Sequence, residues 1–389
     1  MTDMKQNWEI KKLGEVAKFQ RGLTYSKKDE VDISENIVLR ATNINLEDSK
    51  LDLSELKYIN ENIKIKDEKV IKKNALLICL SSGSKKHLGK VALVDDDYGY
   101  AFGGFIGQII PNKSTYPKYL FYALISDTYK KYIFELSDGA NINNLKSKDL
   151  QAFQIPLPPL PEQQRIVAIL DKAFAEIAKA KANAEQNLKN AKELFESYLN
   201  GMFENKGEGW EEKTLNDVCE ELFAGGDVPK NNSSKFETKI FNIPIFSNGE
   251  KNKGLYGYTN IVRVAKPSIT ISARGTIGYS EIRKEAFYPA IRLIVVTPKI
   301  DIVDLTYLKY VISEINFKYS GSSIPQLTVP MIKGYPISYP SLKQQKFIVQ
   351  KLDALSAETK KLEAIYQKKI VNLQELKKSV LQKAFRGEL

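Results

Sequence analysis

The residues best suited to chemistry lie in four short loops that combine small hydroxyl, amide and cationic side chains. Two of these loops have the sequences Ser81-Ser82-Gly83-Ser84-Lys85-Lys86-His87 and Ser272-Ala273-Arg274-Gly275-Thr276. Each follows an apolar run that is typical of a buried strand. Glycine allows a backbone to approach a phosphate closely, while hydroxyl groups and cations donate hydrogen bonds to phosphate oxygens or base edges. These two loops therefore indicate binding of a phosphate-bearing polymer.

The other two loops carry amide side chains, which can pair with both polar atoms of an adenine edge. Their sequences are Asn141-Ile142-Asn143-Asn144-Leu145-Lys146 and Ser322-Ser323-Ile324-Pro325-Gln326-Leu327. Serine, asparagine and glycine are also what ordinary turns need, and for any single loop the turn is the simpler interpretation. The nucleic-acid interpretation gains weight only because the loops occupy paired positions of an internal duplication.

Other kinds of chemistry find little support in the sequence. The segment from Gly83 to Gly89 is similar to a phosphate-binding loop, but five residues separate the glycines instead of four, and Val91 stands where Ser or Thr must reach magnesium. One histidine in the whole chain argues against multi-histidine metal sites and histidine-based catalysis. Cys79 and Cys219 are too few for a disulfide scaffold and too far apart for a zinc knuckle.

Composition sets the broad class of the protein. The chain has 389 residues, of which 58 are Lys or Arg and 47 are Asp or Glu, so its formal net charge is +11. A hydrophobic fraction of 43% can fill real cores, and this length allows about two or three domains. The basic surplus favours a polyanionic partner, although only weakly. No apolar run reaches the roughly 18 residues of a membrane span, and the N-terminus lacks an apolar signal core, so we expect a cytoplasmic protein with no membrane partner.

The chain also repeats itself. Residues 139–203 align with residues 321–385 at a constant offset of 182, without a gap. The matching positions include Gly139 with Gly321, Gln163 with Gln345, Leu170 with Leu352, and Phe203 with Phe385. The beginnings of the copies, Trp8-Glu9 and Trp210-Glu211, match at an offset of 202, so the first copy holds about twenty more residues between Gly22 and Gly139. This duplication predicts two globular regions, each followed by a helix.

Long helices are predicted over Glu162–Phe203 and Gln344–Phe385. Apolar or small residues recur there at alternating steps of four and three, which is the seam of a coiled coil. The predicted seam residues include Ile166, Leu170, Ile177 and Leu194 in the first helix and Ile348, Leu352, Leu362 and Leu376 in the second. We expect the two helices, each roughly 60 Å long at 1.5 Å per residue, to pair antiparallel. The alternative is that each helix packs on its own globular region.

The globular regions have the pattern of mixed α/β structure. Short apolar runs bounded by Gly, Asp or Pro predict strands at Ala75–Leu80, Val91–Val94, Ile106–Ile110, Ser268–Ser272 and Ile291–Thr297. Short helices are expected at Tyr119–Ser126 and Leu305–Ile312. The predicted fold class is therefore α+β, with domains at residues 1–155 and 205–338 and spacer helices at residues 156–204 and 339–389.

Several motifs together resemble those of one family, the specificity subunits of type I restriction-modification enzymes. The motifs are the proline-rich segment 155–167, which contains Pro161-Glu162-Gln163-Gln164, its looser copy 336–345, the segment Ala273-Arg274-Gly275-Thr276-Ile277-Gly278, and the closing segment 381–389. Trp8 and Trp210, each followed by Leu-Gly-Glu-Val or Leu-Asn-Asp-Val, fit the family's opening. The resemblance covers essentially the whole chain and departs from the family at Lys343, where an acidic residue is usual.

The resemblance implies a non-catalytic subunit with two target recognition domains, each reading one half of a bipartite sequence in double-stranded DNA. The two helices would set the spacing between the half-sites. Two modification (methyltransferase) subunits would dock on this chain, and restriction subunits that hydrolyse ATP would join them. This chain would bind no cofactor and no metal, whereas its partners would use S-adenosylmethionine, ATP and Mg2+. The complex would act in the cytoplasm of a bacterial or archaeal cell.

The DNA contacts expected from the four loops and from two further arginines are Arg21, Ser82, Ser84, Lys85, Lys86, Asn141, Asn143, Asn144, Arg274, Thr276, Arg292, Ser322, Ser323 and Gln326. Two other functions stay open from the residues alone. A stand-alone methyltransferase or nuclease would need a methyl-donor loop or a carboxylate metal cluster, neither of which is evident. A coiled-coil scaffold that binds proteins without reading DNA would lack the steep salt dependence of DNA binding.

Overall fold

The computed structural model of the chain describes residues 8–138, 144–318 and 325–389. The chain divides into two compact units, one comprising Met1–Ala184 and Lys368–Leu389 and the other Glu185–Gln367. Each unit therefore contains one globular region together with half of each long helix.

The described residues of the first unit form ten strands arranged in three small sheets. The strands are β1 (Glu9–Lys12), β2 (Ala17–Arg21), β3 (Glu30–Val31), β4 (Ile37–Leu39), β5 (Lys57–Ile59), β6 (Leu76–Cys79), β7 (Val91–Leu93), β8 (Ala101–Phe102), β9 (Ile106–Pro111) and β10 (Gln154–Leu157). The helices are α1 (Leu13–Val16), α2 (Pro117–Leu124), α3 (Asp127–Asp138), α4 (Ser147–Gln151) and the long helix α5 (Leu160–Glu204). The sheets have the strand orders β2-β9-β6-β7, β3-β5-β4-β8 and β1-β10.

The second unit repeats this arrangement strand by strand. Its strands are β11 (Glu211–Thr214), β12 (Cys219–Ala224), β13 (Ser233–Ser234), β14 (Ile243–Phe246), β15 (Leu255–Thr259), β16 (Ser268–Ile271), β17 (Ser280–Arg283), β18 (Tyr288–Pro289), β19 (Ile294–Pro298) and β20 (Pro336–Tyr339). The helices are α6 (Leu305–Glu314), α7 (Val329–Ile332) and the long helix α8 (Leu342–Arg386). The orders β12-β19-β16-β17, β13-β15-β14-β18 and β11-β20 match those of the first unit, which confirms both the duplication and the α+β class.

The central strand β6 shows how the first unit is layered. All four of its residues are buried, and successive side chains of a strand point to opposite faces. Leu76 and Ile78 join the core that contains the helices, whereas Leu77 and Cys79 join the core between the two four-stranded sheets. A continuous apolar run is therefore what this doubly covered strand requires, and the predicted strand is confirmed.

The predicted strand at Ile291–Thr297 is confirmed only from Ile294 onward. Ile291 and Arg292 have φ angles of +52° and +62°, which belong to a turn and not to an extended strand. The apolar pattern did not reveal this turn because Ile291 and Leu293 extend the alternating apolar pattern of the strand that follows them in the chain.

A buried glutamine ties each long helix to its own globular region. Gln163, near the start of α5, accepts a hydrogen bond from the Tyr116 N–H at 2.8 Å. Its amide nitrogen donates to the carbonyl oxygens of Pro158, at 2.8 Å, and Ser114, at 3.0 Å. The second glutamine of the Gln163-Gln164 pair is exposed, so the first is the structural member of this motif.

Gln345 makes the same three contacts in the second unit. Its side-chain oxygen accepts from the Asp304 N–H at 2.7 Å, and its nitrogen donates to the carbonyl oxygens of Pro340, at 2.8 Å, and Ile302, at 3.0 Å. Both glutamines are fully buried. The matched Gln positions of the sequence repeat are therefore explained by one interaction that is built twice.

The two long helices pack antiparallel. In the first unit, Ile166 and Leu170 of α5 share a core with Leu381 and Ala384 at the end of α8. In the second unit, Leu199 near the end of α5 shares a core with the beginning of α8. The beginning of each helix thus meets the end of the other, as predicted. Both cores also contain residues of the globular regions. The helices therefore pack on the globular regions as well as on each other, which was the alternative arrangement.

Three of the predicted seam residues are more exposed than the others. Leu194 is 50% exposed, Leu362 is 37% exposed and Leu376 is 48% exposed. A straight α-helix drifts by about 20° per heptad against a strict seven-residue repeat. Leu362 lies two heptads beyond Ile348, whereas Leu376 lies four heptads beyond it and Leu194 four heptads beyond Ile166. The exposure grows with that distance, as the drift requires.

The buried stripe follows the period of the helix itself. In α5 it passes through Ile166, Leu170, Ala173, Ile177, Lys181, Ala184, Leu188, Ala191, Phe195, Leu199 and Met202, all of which are buried or half-buried. These residues cover 36 positions in ten steps, or 3.6 residues per step. The stripe of α8 runs through the positions 182 residues later, from Ile348 and Leu352 to Leu381 and Ala384, all four of which are buried.

Candidate nucleic-acid interface

The first unit brings two of the predicted loops together at the end of β6. The Leu145 N–H donates a hydrogen bond to the Leu80 carbonyl oxygen at 2.7 Å. Ser81 and Asn144 form an isolated antiparallel bridge directly beside it. Asn144, a predicted DNA contact, is exposed next to the serine-rich loop. Segments more than sixty residues apart in the sequence therefore form one continuous surface.

The second unit builds the same junction with different side chains. The Leu327 N–H donates to the Ala273 carbonyl oxygen at 2.9 Å. Beside this bond, Nη2 of Arg274 donates to Oε1 of Gln326 at 2.7 Å, so two predicted DNA contacts touch each other. Nε of Arg274 is buried and has no hydrogen-bond partner among the residues that the structure describes. An arginine held by a glutamine oxygen presents only N–H donors, which suits acceptor atoms of a nucleic acid.

A third segment, the turn before β9 or β19, completes each junction. In the first unit, the N–H groups of Leu80 and Ser81 both donate to the Phe105 carbonyl oxygen, at 2.9 and 3.1 Å. Arg21, at the end of β2, pairs with Gly107 of the neighbouring strand. In the second unit, the Arg292 N–H donates to the Gly225 carbonyl oxygen at 3.0 Å. Arg21 and Arg292 therefore lie at the same edge as the loops, and their contact with DNA stays a prediction.

A matched glycine makes this edge possible in both units. A Cβ added to Gly22 would lie 2.1 Å from the carbonyl oxygen of Gly103, and one added to Gly225 would lie 2.4 Å from that of Pro289. Both glycines accordingly permit an approach of two backbone segments that no other residue allows. Their match in the sequence repeat reflects this shared contact.

The serine-rich loop of the first unit combines turn chemistry with exposed cations. Lys85–His87 forms a single turn of 3-10 helix, and the Ser84 N–H donates to Oγ of Ser82 at 3.2 Å. Ser84, Lys85 and Lys86 are all exposed. Ser82 thus shapes the loop, while the two lysines project from it. In the second unit, Thr276 is exposed, and its carbonyl oxygen accepts from the Tyr279 N–H at 3.2 Å.

Four of the predicted contacts cannot be placed. Asn141, Asn143, Ser322 and Ser323 lie outside the described residues. Each belongs to a loop whose following residues, Asn144 or Gln326, lie at the junction. Their assignment to DNA contact stays a prediction.

The sequence analysis missed two residues of these junctions. Asn248 accepts a hydrogen bond from the Ala273 N–H at 2.7 Å and donates to the Ile291 carbonyl oxygen at 2.6 Å. Its Asn-Gly sequence has the pattern of an ordinary turn, so no local signal marked these long-range contacts. Phe105 is 70% exposed beside the serine-rich loop. An aromatic residue following two glycines was the available signal for it.

The described residues show neither a metal cluster nor a reactive thiol. Among residues 8–138, 144–318 and 325–389, no group of three or more His, Cys, Asp or Glu side chains is arranged to hold a metal ion. Burial raises the pKa of both thiols, that of Cys219 to about 12. Within the same part of the chain, no helix is long and apolar enough to cross a membrane.

Comparison with known proteins places this geometry in a family. Residues 5–187 and 207–371 match the family described as the type I restriction modification DNA specificity domain. The specificity subunit of the type I restriction enzyme StySPI from Salmonella potsdam is 27% identical over 422 residues, which cover 99% of this chain and 89% of that protein.

Solved structures share the fold at lower identity. A chain from a study of complex assembly and conformational transition of the type I R-M system superimposes with a TM-score of 0.84 at 20% identity, covering 100% of both chains. The HsdS subunit from Thermoanaerobacter tengcongensis superimposes with a TM-score of 0.68 at 20% identity, covering 100% of this chain and 98% of that one. The chain therefore belongs to the type I restriction-modification DNA specificity family and is the non-catalytic specificity subunit of such a system, with two target recognition domains.

Proposed function

We propose that this subunit reads a bipartite sequence in double-stranded DNA, with one half-site for each recognition domain. The first domain is assigned to residues 1–155 and the second to residues 205–338. The observation that carries the proposal is the junction of three segments at one sheet edge, which occurs in both units with a matched backbone hydrogen bond, Leu145 to Leu80 in the first and Leu327 to Ala273 in the second. Because the backbone is repeated while the side chains differ, the two domains are expected to bind in similar ways but to read different bases.

The side chains at each junction set the contacts. In the first domain we assign phosphate contacts to Lys85, Lys86 and Arg21, and base or phosphate contacts to the serines and Asn144. In the second domain, Arg274, Gln326 and Arg292 supply donors that fit guanine or adenine edges. The residues 156–204 and 339–389 act as the spacer, and their length determines the separation of the half-sites.

The exposed leucines of the long helices suggest where partner subunits dock. Leu194 and Leu376 occupy matched positions of the repeat and are both about half exposed. Two modification subunits, one for each copy of the repeat, would cover such a pair of apolar positions. They would supply S-adenosylmethionine chemistry, and restriction subunits would add ATP- and Mg2+-dependent cleavage. The assembled complex would act on DNA in the cytoplasm.

The proposal is tested by exchanging one domain at a time. The full chain is co-expressed with its modification partner, and the methylated motif is determined by sequencing of genomic DNA. Replacing residues 1–150 with the first domain of another family member should change one half-site and leave the other half-site and the spacer unchanged. The reciprocal exchange of residues 205–338 is the matched control and should change only the second half-site.

Two results would contradict the proposal. A change of both half-sites after either exchange would show that the domains do not read DNA independently. Binding of DNA by the complex that hardly depends on ionic strength would favour a protein-binding scaffold, since charge-mediated DNA binding weakens steeply with salt.

A further inference from the structure

The turn between β18 and β19 has an unusual backbone. The Leu293 N–H donates to the Ala290 carbonyl oxygen at 3.1 Å, which closes a four-residue turn around Ile291 and Arg292. Both central residues lie in the left-handed region, with φ of +52° and +62°. Turns of this mirror-image kind normally carry glycine or asparagine at these places, and a β-branched isoleucine there is strained. Such strain persists only where the surrounding structure enforces it.

Three hydrogen bonds from outside the turn hold this conformation. The N–H groups of Ile291 and Arg292 donate to the carbonyl oxygens of Gly226, at 2.8 Å, and Gly225, at 3.0 Å. The third bond comes from a side chain, because Nδ2 of Asn248 donates to the Ile291 carbonyl oxygen at 2.6 Å. A bond from a side chain can be removed by substitution, whereas the two backbone bonds cannot.

The same asparagine also holds the neighbouring loop. Oδ1 of Asn248 accepts from the Ala273 N–H at 2.7 Å, and the next N–H in the chain, that of Gly249, donates to Oγ of Ser272 at 2.9 Å. One amide group therefore connects the residue before Arg274 with the residue before Arg292. The spacing between these two arginines is set by the width of a single side chain.

The first unit builds the corresponding turn without strain. There the Ile106 N–H donates to the Gly103 carbonyl oxygen at 3.0 Å, and the central residues are Gly104 and Phe105. Neither has a positive φ. A turn whose central residues avoid positive φ needs no enforcement, so the strained version in the second unit has a purpose beyond closing the chain.

We propose that Asn248 is the positioning residue of the second recognition domain, holding the Ile291-Arg292 turn and the Ala273-Arg274 loop in one register so that both arginines meet the bases of a single half-site. This inference rests on the proposed function, because it concerns how that half-site is read. Asn248 itself need not touch DNA.

The test uses the full chain in complex with its modification partner, with methylation rates measured on duplexes that carry single base changes in either half-site. Asn248→Ala should reduce discrimination at the second half-site by about tenfold or more, the scale of one lost base contact, and leave the first half-site unchanged. Asn248→Asp keeps the acceptor for Ala273 but turns an acceptor oxygen toward the Ile291 carbonyl oxygen, so it should also lose discrimination at the second half-site. Asn260→Ala, an exposed asparagine of the same domain, is the matched control and should have no effect.

A second pair of variants separates positioning from folding. Ile291→Gly relieves the backbone strain, so the double variant Asn248→Ala with Ile291→Gly should regain thermal stability. If Asn248 positions the arginines, the double variant should still read the second half-site poorly. Full recovery of discrimination would overturn the inference and leave Asn248 with a folding role only.

The inference and the proposed function can fail separately. If Arg274→Ala and Arg292→Ala alter the second half-site while Asn248→Ala does not, the positioning role is wrong and the proposed function stands. If neither arginine variant alters the methylated motif, the assigned site is wrong, and the positioning role falls with it.

Discussion

The two recognition units share every strand order but fill the space between their four-stranded sheets differently. In the first unit, nine buried apolar residues, including Leu77, Phe102 and Ile106, form this layer. In the second unit, the corresponding apolar cluster has three buried residues, and the buried Arg283 packs on Phe246, a half-buried residue that lies against this cluster. Its guanidinium carbon lies 3.6 Å from the centre of the Phe246 ring.

The guanidinium of Arg283 also donates two hydrogen bonds, from different nitrogen atoms. Its Nε donates to Oγ1 of Thr270 at 3.1 Å, and its Nη2 donates to the Lys253 carbonyl oxygen at 2.5 Å. Burial lowers the pKa of this guanidinium, while the carboxylate of Glu281 opposes that effect. A side chain with five donors can thus replace an apolar layer when acceptors and an aromatic face surround it.

The layer against the long helices, by contrast, repeats the same tyrosine and glutamine hydrogen bonds in both units. Beyond the glutamines, Tyr122 donates a hydrogen bond to Asp171 in the first unit, and Tyr310 donates to Asp353 at 2.6 Å in the second. This difference shows which side of the two copies has stayed similar. The helix-facing side has kept its contacts, which suits one shared structural role, while the other side has diverged together with the loops that are proposed to read DNA.

The largest effect is expected where the units agree. Gln163→Ala and Gln345→Ala should each lower the free energy of unfolding by about 4 kcal/mol, because each leaves one buried N–H and two carbonyl oxygens without a partner and opens a small cavity. Chemical denaturation measures both. Gln164→Ala, at the exposed neighbour, is the control and should cost little. Unequal losses in the two units would break the comparison, since it predicts the same contact twice.

A smaller effect is expected where the units differ. Arg283→Ala should destabilise the second unit by about 3 kcal/mol, because it removes a desolvated cation from an aromatic face and orphans its acceptors. Arg283→Met restores apolar contact and should cost only about 1 kcal/mol, since buried ionic groups can often be replaced by apolar residues of similar volume. Thermal unfolding of the full chain tests this. Equal losses for both variants would show that the charge, and not the volume, holds this layer.

The smallest effect concerns alkaline pH. Burial first, and then the hydrogen bond to a carboxylate, raises the pKa of Tyr122 and of Tyr310 above the ordinary value. Because the folded state keeps these phenols protonated, their contribution to stability is complete below about pH 10 and is lost as the pH rises further. Each tyrosine should therefore remove about 1.4 kcal/mol of unfolding free energy as the pH rises from 9 to 11.

The phenylalanine variants measure that contribution. Tyr122→Phe and Tyr310→Phe should flatten the alkaline limb by the same amount, with Tyr256→Phe, at an exposed tyrosine, as the control. Stability measured by denaturation between pH 9 and 11 gives the slopes. Identical slopes in wild type and both variants would show that these hydroxyls do not titrate with unfolding.

Much of the architecture was predictable from local pattern. The two helices were predictable from three local features. Prolines precede Gln163, no helix breaker follows it until Gly201, and the repeat has no gap, and both helix periodicity and helix breakers are local properties of a sequence. The apolar runs at Ala75–Leu80 and Ser268–Ser272 predict buried strands for the same reason. The loops that follow these two strands were also recognised as a matched pair, because the repeat places them at corresponding positions and their residue types are distinctive.

Only the tertiary structure decided which of these residues act together. A heptad pattern and a 3.6-residue pattern coincide near Ile166 and Ile177 but diverge by Leu194, so the buried face depends on the geometry of the whole helix. Asn248 meets Ala273 and Ile291, which lie 25 and 43 residues away, and no local signal encodes a hydrogen bond over that distance. Arg283 is buried only because Phe246, Thr270 and Lys253 converge around it. Sequence periodicity determines which elements form, whereas the convergence of distant polar groups, which shapes the proposed recognition surfaces, exists only once those elements have packed.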